Sequence, residues 1–223
     1  MADIIRIAVD GPCGAGKSTI AKKVARAVGA EYVDTGAMYR AVGYKMRKLG
    51  AAPEDTDRIE AILNDTEIDF RSGVIYLDGE DVSGLIRTPE ISEAASVYSA
   101  LPPVRRKLVE IQRQIGHRRS VVMDGRDIGT NVFPDAQYKF YLTADAEERA
   151  RRRWKELKEK GQDVELSQIL QDIHQRDYAD THRELNPLMQ AEDAELVDST
   201  SMTIDEVVKT LVDKIQGGVS GRV

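Results

Sequence analysis

Apolar positions along the chain recur at two periods. Ile4 to Val9 is a short, mostly β-branched run with little alternation, the pattern of a strand buried on both faces of a parallel sheet. After a glycine-rich turn, Ile20, Val24, Ala27 and Val28 fall at helical spacing from Ser18 to Val28, with Gly29 as C-terminal cap. Glu31 to Asp34 predicts a second strand. Thr35 is then read as the N-cap of a helix that carries Met38, Val42, Met46 and Leu49 and closes at Gly50. The middle changes rhythm: Glu67 to Phe70, Val74 to Leu77 and Glu80 to Val82 are strand-like, and Ser72-Gly73 and Asp78-Gly79 between them are hairpin signals. They predict a small antiparallel insert.

From Pro102-Pro103 a helix presents Val104, Leu108, Ile111 and Ile115 on one face, with Arg105, Arg106, Lys107 and Arg113 largely off it. Ser120 to Met123 and Tyr138 to Leu142 return to apolar strands. A highly charged helix from about Ala146 to Lys160, a polar helix from about Leu166 to Leu185, a strand near Leu196-Val197 and a helix from Ile204 to Ile215 follow, with a frayed tail from Gly217 to Val223. Alternation of strands and helices predicts an α/β fold, a parallel sheet with helices on both faces.

Composition narrows the function classes. The 223 residues are 41% hydrophobic, 31% charged and 5% aromatic, which excludes disorder and fibre and suits one sizeable domain. Lys and Arg total 32 against 38 Asp and Glu, a net charge of -6, opposite to that of a sequence-independent nucleic-acid binder. One cysteine, Cys13, and three scattered histidines supply neither a disulfide framework nor a Cys/His zinc site and suit a reducing cytosol. No apolar run approaches the roughly 18 residues of a membrane span, and the first residues pass directly into a strand, so no signal peptide is expected.

Gly11-Pro12-Cys13-Gly14-Ala15-Gly16-Lys17-Ser18 fits G-x-x-x-x-G-K-[ST] between a buried strand and a helix. Its glycines let the backbone wrap a polyphosphate, Lys17 supplies charge to the β- and γ-phosphates, and the Ser18 hydroxyl suits Mg2+. No N-K-x-D guanine-reading sequence occurs, which disfavours a switch GTPase. Asp124 follows Val121-Val122-Met123, the pattern of a magnesium-organising carboxylate or, on the blander reading, of a turn residue. Arg40 and Arg126 follow strand ends, where a parallel sheet presents ligands.

The stretches IAVDGPCGAGKST, DTGAMYRA, LDGEDVSGLIRTPEIS, PPVRRKL, MDGRDIGTNVFPDA, EERARRR and the RDYAD region give a close resemblance to the bacterial-type cytidylate kinases, across essentially the whole chain. These nucleoside monophosphate kinases phosphorylate CMP and dCMP. The resemblance implies a P-loop NTPase-type fold with a parallel five-stranded sheet: a core of about residues 1-35, 103-145 and 190-223, an NMP-binding region with the β insert over about 36-102, and a helical lid with its following helix over about 146-189. It implies ATP at Gly11 through Ser18 and Thr19, and CMP at Thr35, Tyr39, Arg40, Ser96, Arg105, Arg126, Asp127, Arg176, Asp180 and Arg183. Asp127, Ser96 and Arg105 take the places facing cytosine, Arg40, Arg126 and Arg183 clamp the monophosphate, and Arg176 and Asp180 serve the sugar hydroxyls. Cytosine's amino donor beside acceptors suits that carboxylate, hydroxyl and cation. Arg176, Asp180 and Arg183 fall at i, i+4 and i+7 and are expected on one helix face, otherwise a solvated salt-bridge stripe.

Lys17 and Arg126, with Arg149 and Arg153 of the lid, are the expected catalytic charges, Arg151 being left to solvent. Ser18 and Asp124 are the expected metal ligands, for Mg2+ with ATP as co-substrate. The implied partners are small molecules, with no nucleic-acid polymer, no membrane and a monomeric, cytoplasmic protein. A P-loop kinase for another small acceptor and a slow nucleotide-dependent regulator are the rival readings. Cys13 stands where the family often has serine or alanine.

Overall fold

The computed structural model describes residues 4–71, 73–159 and 161–220. Five strands form one parallel sheet flanked by helices, in the order β2-β6-β1-β7-β8. They are β1 (Arg6–Asp10), β2 (Glu31–Asp34), β6 (Val121–Gly125), β7 (Tyr138–Thr143) and β8 (Glu195–Asp198). All five residues of β6 and four of the five in β1 are buried, as continuous apolar runs require when both sheet faces are covered. A second, antiparallel sheet joins β3 (Ile68–Arg71), β4 (Val74–Leu77) and β5 (Glu80–Asp81) in that order. The parallel sheet and the antiparallel insert are those expected from the pattern.

The chain forms two compact units, Glu31–Val121 and Ile5–Ala30 with Val122 onward. In the first, α2 (Thr35–Lys48) packs on α4 (Pro89–Ser99) so closely that a Cβ on Gly43 would lie 2.9 Å from the Ala95 nitrogen. Glycine there is a packing requirement, since the neighbour is backbone and cannot turn aside. α3 (Thr56–Asn64) packs on α5 (Pro102–Arg118) and buries Ile59 and Leu63. Tyr98 fixes the unit further by donating its hydroxyl to the Ala51 carbonyl.

In the second unit, α1 (Lys17–Val28) buries Ile20, Ala21, Val24 and Ala25 and packs on α8 (Ile204–Ser220), which buries Val207, Leu211 and Ile215. Each large side chain so buried contributes roughly 1.5–3 kcal/mol. α6 (Ala146–Glu159) and α7 (Leu166–His182) form a hairpin with a small core of its own, Ala150, Ile169 and Ile173, covered by Leu157, Val164 and Leu170.

Several expectations are corrected. Asp34, not Thr35, is the N-cap of α2: its carboxylate accepts from Ala37 N at 2.8 Å, and Thr35 is the first helical residue. α7 ends at His182, so Arg183 is not on the helix with Arg176 and Asp180. Pro187 disfavours helical backbone at Asn186, which takes a positive φ of 48°, and Leu188 N returns to bond the Asp180 carbonyl at 2.8 Å. α8 runs on to Ser220 through part of the stretch expected to fray; residues 221–223 lie outside the described ones, as do Ser72 of the hairpin signal and Lys160 at the end of the charged helix. Arg105, expected off the apolar face of α5, is buried. α3 and α4 were not anticipated.

Candidate active site

The loop between β1 and α1 is shaped by glycine. Gly14 and Gly16 are left-handed, and Gly11 has φ 149°, where a Cβ would fall 2.0 Å from the Leu142 carbonyl oxygen of β7. Gly16, the N-cap of α1, has no side chain to take up the first-turn amides, which a helix N-terminus turns toward an anion. Ala15 is fully buried, Thr19 is exposed on α1, and the Lys17 ammonium donates to the Pro12 carbonyl at 2.7 Å. Burial, with the nearby Arg126 charge, lowers the Lys17 pKa to about 8.

The Ser18 hydroxyl donates to Asp124 Oδ2 at 2.8 Å, which brings together the two expected metal ligands. Among the described residues no group of three His, Cys, Asp or Glu side chains surrounds a point where a metal ion would sit. A hydroxyl and one carboxylate fit Mg2+ of the kind that keeps waters and phosphate oxygens as its other ligands.

Beyond Asp124 the chain turns through Arg126 and Asp127 into a single wide helical turn, Ile128–Val132. Asp10, at the end of β1, anchors that turn by accepting from Ile128 N at 2.9 Å and Gly129 N at 2.7 Å. Burial pushes Asp10 up to about 6 even though both amides favour its charged form. The sequence reading missed this residue; its signal was an aspartate ending an apolar strand, as Asp124 does. Arg126 Nε donates to Asp180 Oδ2 at 2.6 Å, and although burial opposes its charge, that carboxylate raises its pKa above the ordinary arginine value. Arg183 Nη2 bonds Asp127 Oδ1 at 3.2 Å, and Asn131 Nδ2 bonds Asp127 Oδ2 at 3.0 Å. Four of the expected monophosphate, base and sugar residues thus form two arginine-carboxylate pairs.

The arginines of α6 diverge. Arg149 turns inward to the loop, donating to Ala144 O and Cys13 O at 2.8 Å each and pairing with Asp177 at 2.7 Å. Arg153, expected beside it, points out to Glu156, and Arg152 is tied to Ser199 O and Glu148. Arg151 is 65% exposed, as assigned. Arg176 is exposed, with Nη1 3.8 Å from Cys13 Sγ.

The first unit holds the other candidates. Asp34 Oδ2 pairs with Arg40 Nη2 at 3.2 Å, while Arg40 Nε is buried with no hydrogen-bond partner among the described residues. A Cβ on Gly36 would lie 3.1 Å from Arg40 Nη1, so glycine leaves that guanidinium its room. Thr35 is buried, and the Arg105 guanidinium lies over the Tyr39 ring at 5.7 Å and donates to Ser99 O at 3.3 Å. Ser96 is exposed on α4.

The family model described as cytidylate kinase matches residues 7–217. The chain belongs to that family. Curated relatives agree: a cytidylate kinase of Caldanaerobacter subterraneus subsp. tengcongensis is 48% identical over 98% of both chains. One of Clostridioides difficile is 50% identical over 94% of this chain and 97% of its own. Among solved structures, a shikimate kinase of Bacteroides thetaiotaomicron superposes with TM-score 0.50 at 14% identity over 96% of this chain and 99% of its own. At that identity the likeness extends to the fold alone.

Proposed function

We propose that the protein transfers the γ-phosphoryl group of ATP to CMP or dCMP, giving ADP and CDP or dCDP. The reading is carried by the buried Arg105 guanidinium over Tyr39, in a chain matched to cytidylate kinases almost end to end. A permanent cation on an aromatic face suits a base that presents acceptors. Asp127 accepts from the cytosine amino group and Ser96 assists. Uracil turns an acceptor oxygen toward the buried Asp127 carboxylate, setting acceptor against acceptor, and is disfavoured.

The monophosphate oxygen is already anionic near neutral pH, so the acceptor needs no general base. Catalysis is then alignment and charge neutralisation. Lys17 and the loop amides hold the donor phosphates; Arg40, Arg126 and Arg183 hold the acceptor, the buried Nε of Arg40 being a donor suited to an oxyanion. Ser18 and Asp124 would hold Mg2+, whose charge offsets that of the triphosphate when bound. Arg176 and Asp180 serve the sugar, Arg149 and Arg153 the transferring group. The 36-102 segment is read as the acceptor region and 146-189 as the lid that excludes water. No described helix is long and apolar enough to cross a membrane; we read the protein as a cytoplasmic monomer that acts on small molecules.

The test is ADP formation from Mg-ATP with CMP, dCMP, UMP, AMP, shikimate or no acceptor. Strong stimulation by CMP and dCMP is expected. Equal stimulation by shikimate or AMP, or acceptor-independent hydrolysis, would overturn the assignment.

A further inference from the structure

Asp10 is the last residue of β1, and its backbone continues directly into Gly11, where the phosphate-binding loop begins. Its buried carboxylate reaches the Ile128 and Gly129 amides, at 2.9 and 2.7 Å, in the turn that follows Arg126 and Asp127. Lys17 of the loop and Asp127 before the turn both lie near enough to act on Asp10 by charge. A Cβ on Gly129 would lie 3.4 Å from Asp10 Oδ2 and 3.2 Å from Lys139 Cδ, and Lys139 is not free to yield, its ammonium being held by Pro134 O and both carboxylate oxygens of Asp193. Glycine at 129 therefore keeps the carboxylate within reach of the two amides.

Each of the two surfaces that Asp10 joins has holders of its own. In the loop, Lys17 is seated on the Pro12 carbonyl at 2.7 Å. The turn is closed by Asn131 N and Val132 N on the Asp127 carbonyl, at 2.9 and 3.1 Å, and by Phe133 N on the Ile128 carbonyl at 2.7 Å. Arg126 is fixed by Asp180, and the Asp127 carboxylate by Arg183 and Asn131. None of these bonds involves Asp10, whose own two bonds run from the root of the loop to the turn.

We propose that Asp10 is a positioning residue for phosphoryl transfer, setting the turn that carries Arg126 and Asp127 in register with the loop that holds the triphosphate. It touches neither substrate and acts through the Ile128 and Gly129 amides. In-line transfer tolerates little error, since a misplacement of about 1 Å costs on the order of 100-fold in rate. Loss of the Asp10 bonds therefore slows the reaction of the bound pair, while each substrate, held by groups that keep their own supports, binds about as before. The inference rests on the reading of the loop as the ATP site and of Arg126 and Asp127 as acceptor residues.

Steady-state kinetics with Mg-ATP and CMP near neutral pH, on wild type, Asp10→Asn, Gly129→Ala and the double variant, tests it, with thermal melts on the same samples to show that each is folded. Asp10→Asn keeps one of the two amide bonds and should lower kcat at least about tenfold, with the KM for ATP and for CMP each within about threefold of wild type. Gly129→Ala approaches the same contact from the turn, leaves the carboxylate in place, and should lower kcat alone, by at least about threefold. Because both substitutions disturb one contact, the double variant should fall no more than about twofold below Asp10→Asn. A kcat for Asp10→Asn within about twofold of wild type, a KM that rises as far as kcat falls, or full additivity in the double variant would overturn the proposal. A wild type whose ADP formation CMP does not stimulate would overturn the kinase reading first and this inference with it.

Discussion

Asp10 makes the turn behind the site sensitive to pH in a calculable way. Its ordinary pKa of 3.8 rises to about 6 in the folded chain, chiefly through burial, with Asp127 adding to the rise and Lys17 opposing it. The folded chain thus holds the Asp10 proton more tightly than the unfolded one. Its stabilising contribution is whole below the unfolded value of 3.8 and is lost as pH rises through about 6. Linkage puts the loss at about 1 kcal/mol at pH 4.5 and about 3 kcal/mol at pH 7.5.

Asp10→Asn abolishes the titration. The amide oxygen still accepts from one of Ile128 N and Gly129 N, and the other, left buried, costs about 1–3 kcal/mol at every pH. That offset is constant, so the variant should gain about 2 kcal/mol on the wild type between pH 4.5 and 7.5. Urea unfolding of both proteins across that range measures the difference directly. A difference flat to within about 0.5 kcal/mol, or one that favours the wild type as pH rises, would refute the reasoning.

Lys17→Ala should cost about two to three orders of magnitude in turnover while the unfolding temperature holds or rises, because the buried ammonium is disfavoured by its surroundings; steady-state kinetics and thermal melts check both halves. Asp127→Asn should lower the preference for CMP over UMP about 10- to 100-fold, read as the ratio of kcat/KM values, since an amide donor accepts the company of a uracil oxygen. Cys13 is half-buried beside Arg176, and ATP should slow its labelling by a thiol reagent at least about tenfold; a rate indifferent to ATP would place the loop tip outside the nucleotide site.

The legible parts of the fold were those written in contiguous residues. β1, β6 and β7 are apolar runs that only a covered sheet satisfies, and the hairpin signals at Gly73 and Asp78-Gly79 bound β4 directly. α4 escaped notice although Thr88 and Pro89 mark its start, because Ala94 and Ala95 carry half of its buried face and a search for large apolar residues passes over alanines. α3 buries only Ile59 and Leu63. Arg183 shows the limit of periodicity: i+7 spacing places a residue on a helix face only if the helix lasts, and Asn186-Pro187 ends it first.

The candidate site divides in the same manner. The phosphate loop and the Arg126-Asp127 turn were visible as motifs. The bonds of Asp10 to amides 118 residues away, and of Asp177 to Cys13 N across 164, were not, since spacing reports which face a residue shares and never which distant group it meets. Arg149 and Arg153 were indistinguishable by charge and spacing; burial alone separates them.

The small antiparallel sheet ends in β5, two residues long, both of them exposed carboxylates. A sheet edge is a template on which a second chain adds its own strand, and short length and like charge are what defeat it. The Asp81 pKa is lowered because its carboxylate accepts bonds from Ser83, so this guard against edge-to-edge association persists into acid that would neutralise an ordinary surface aspartate. Crowded solutions of the protein should therefore lose solubility elsewhere before they lose it here.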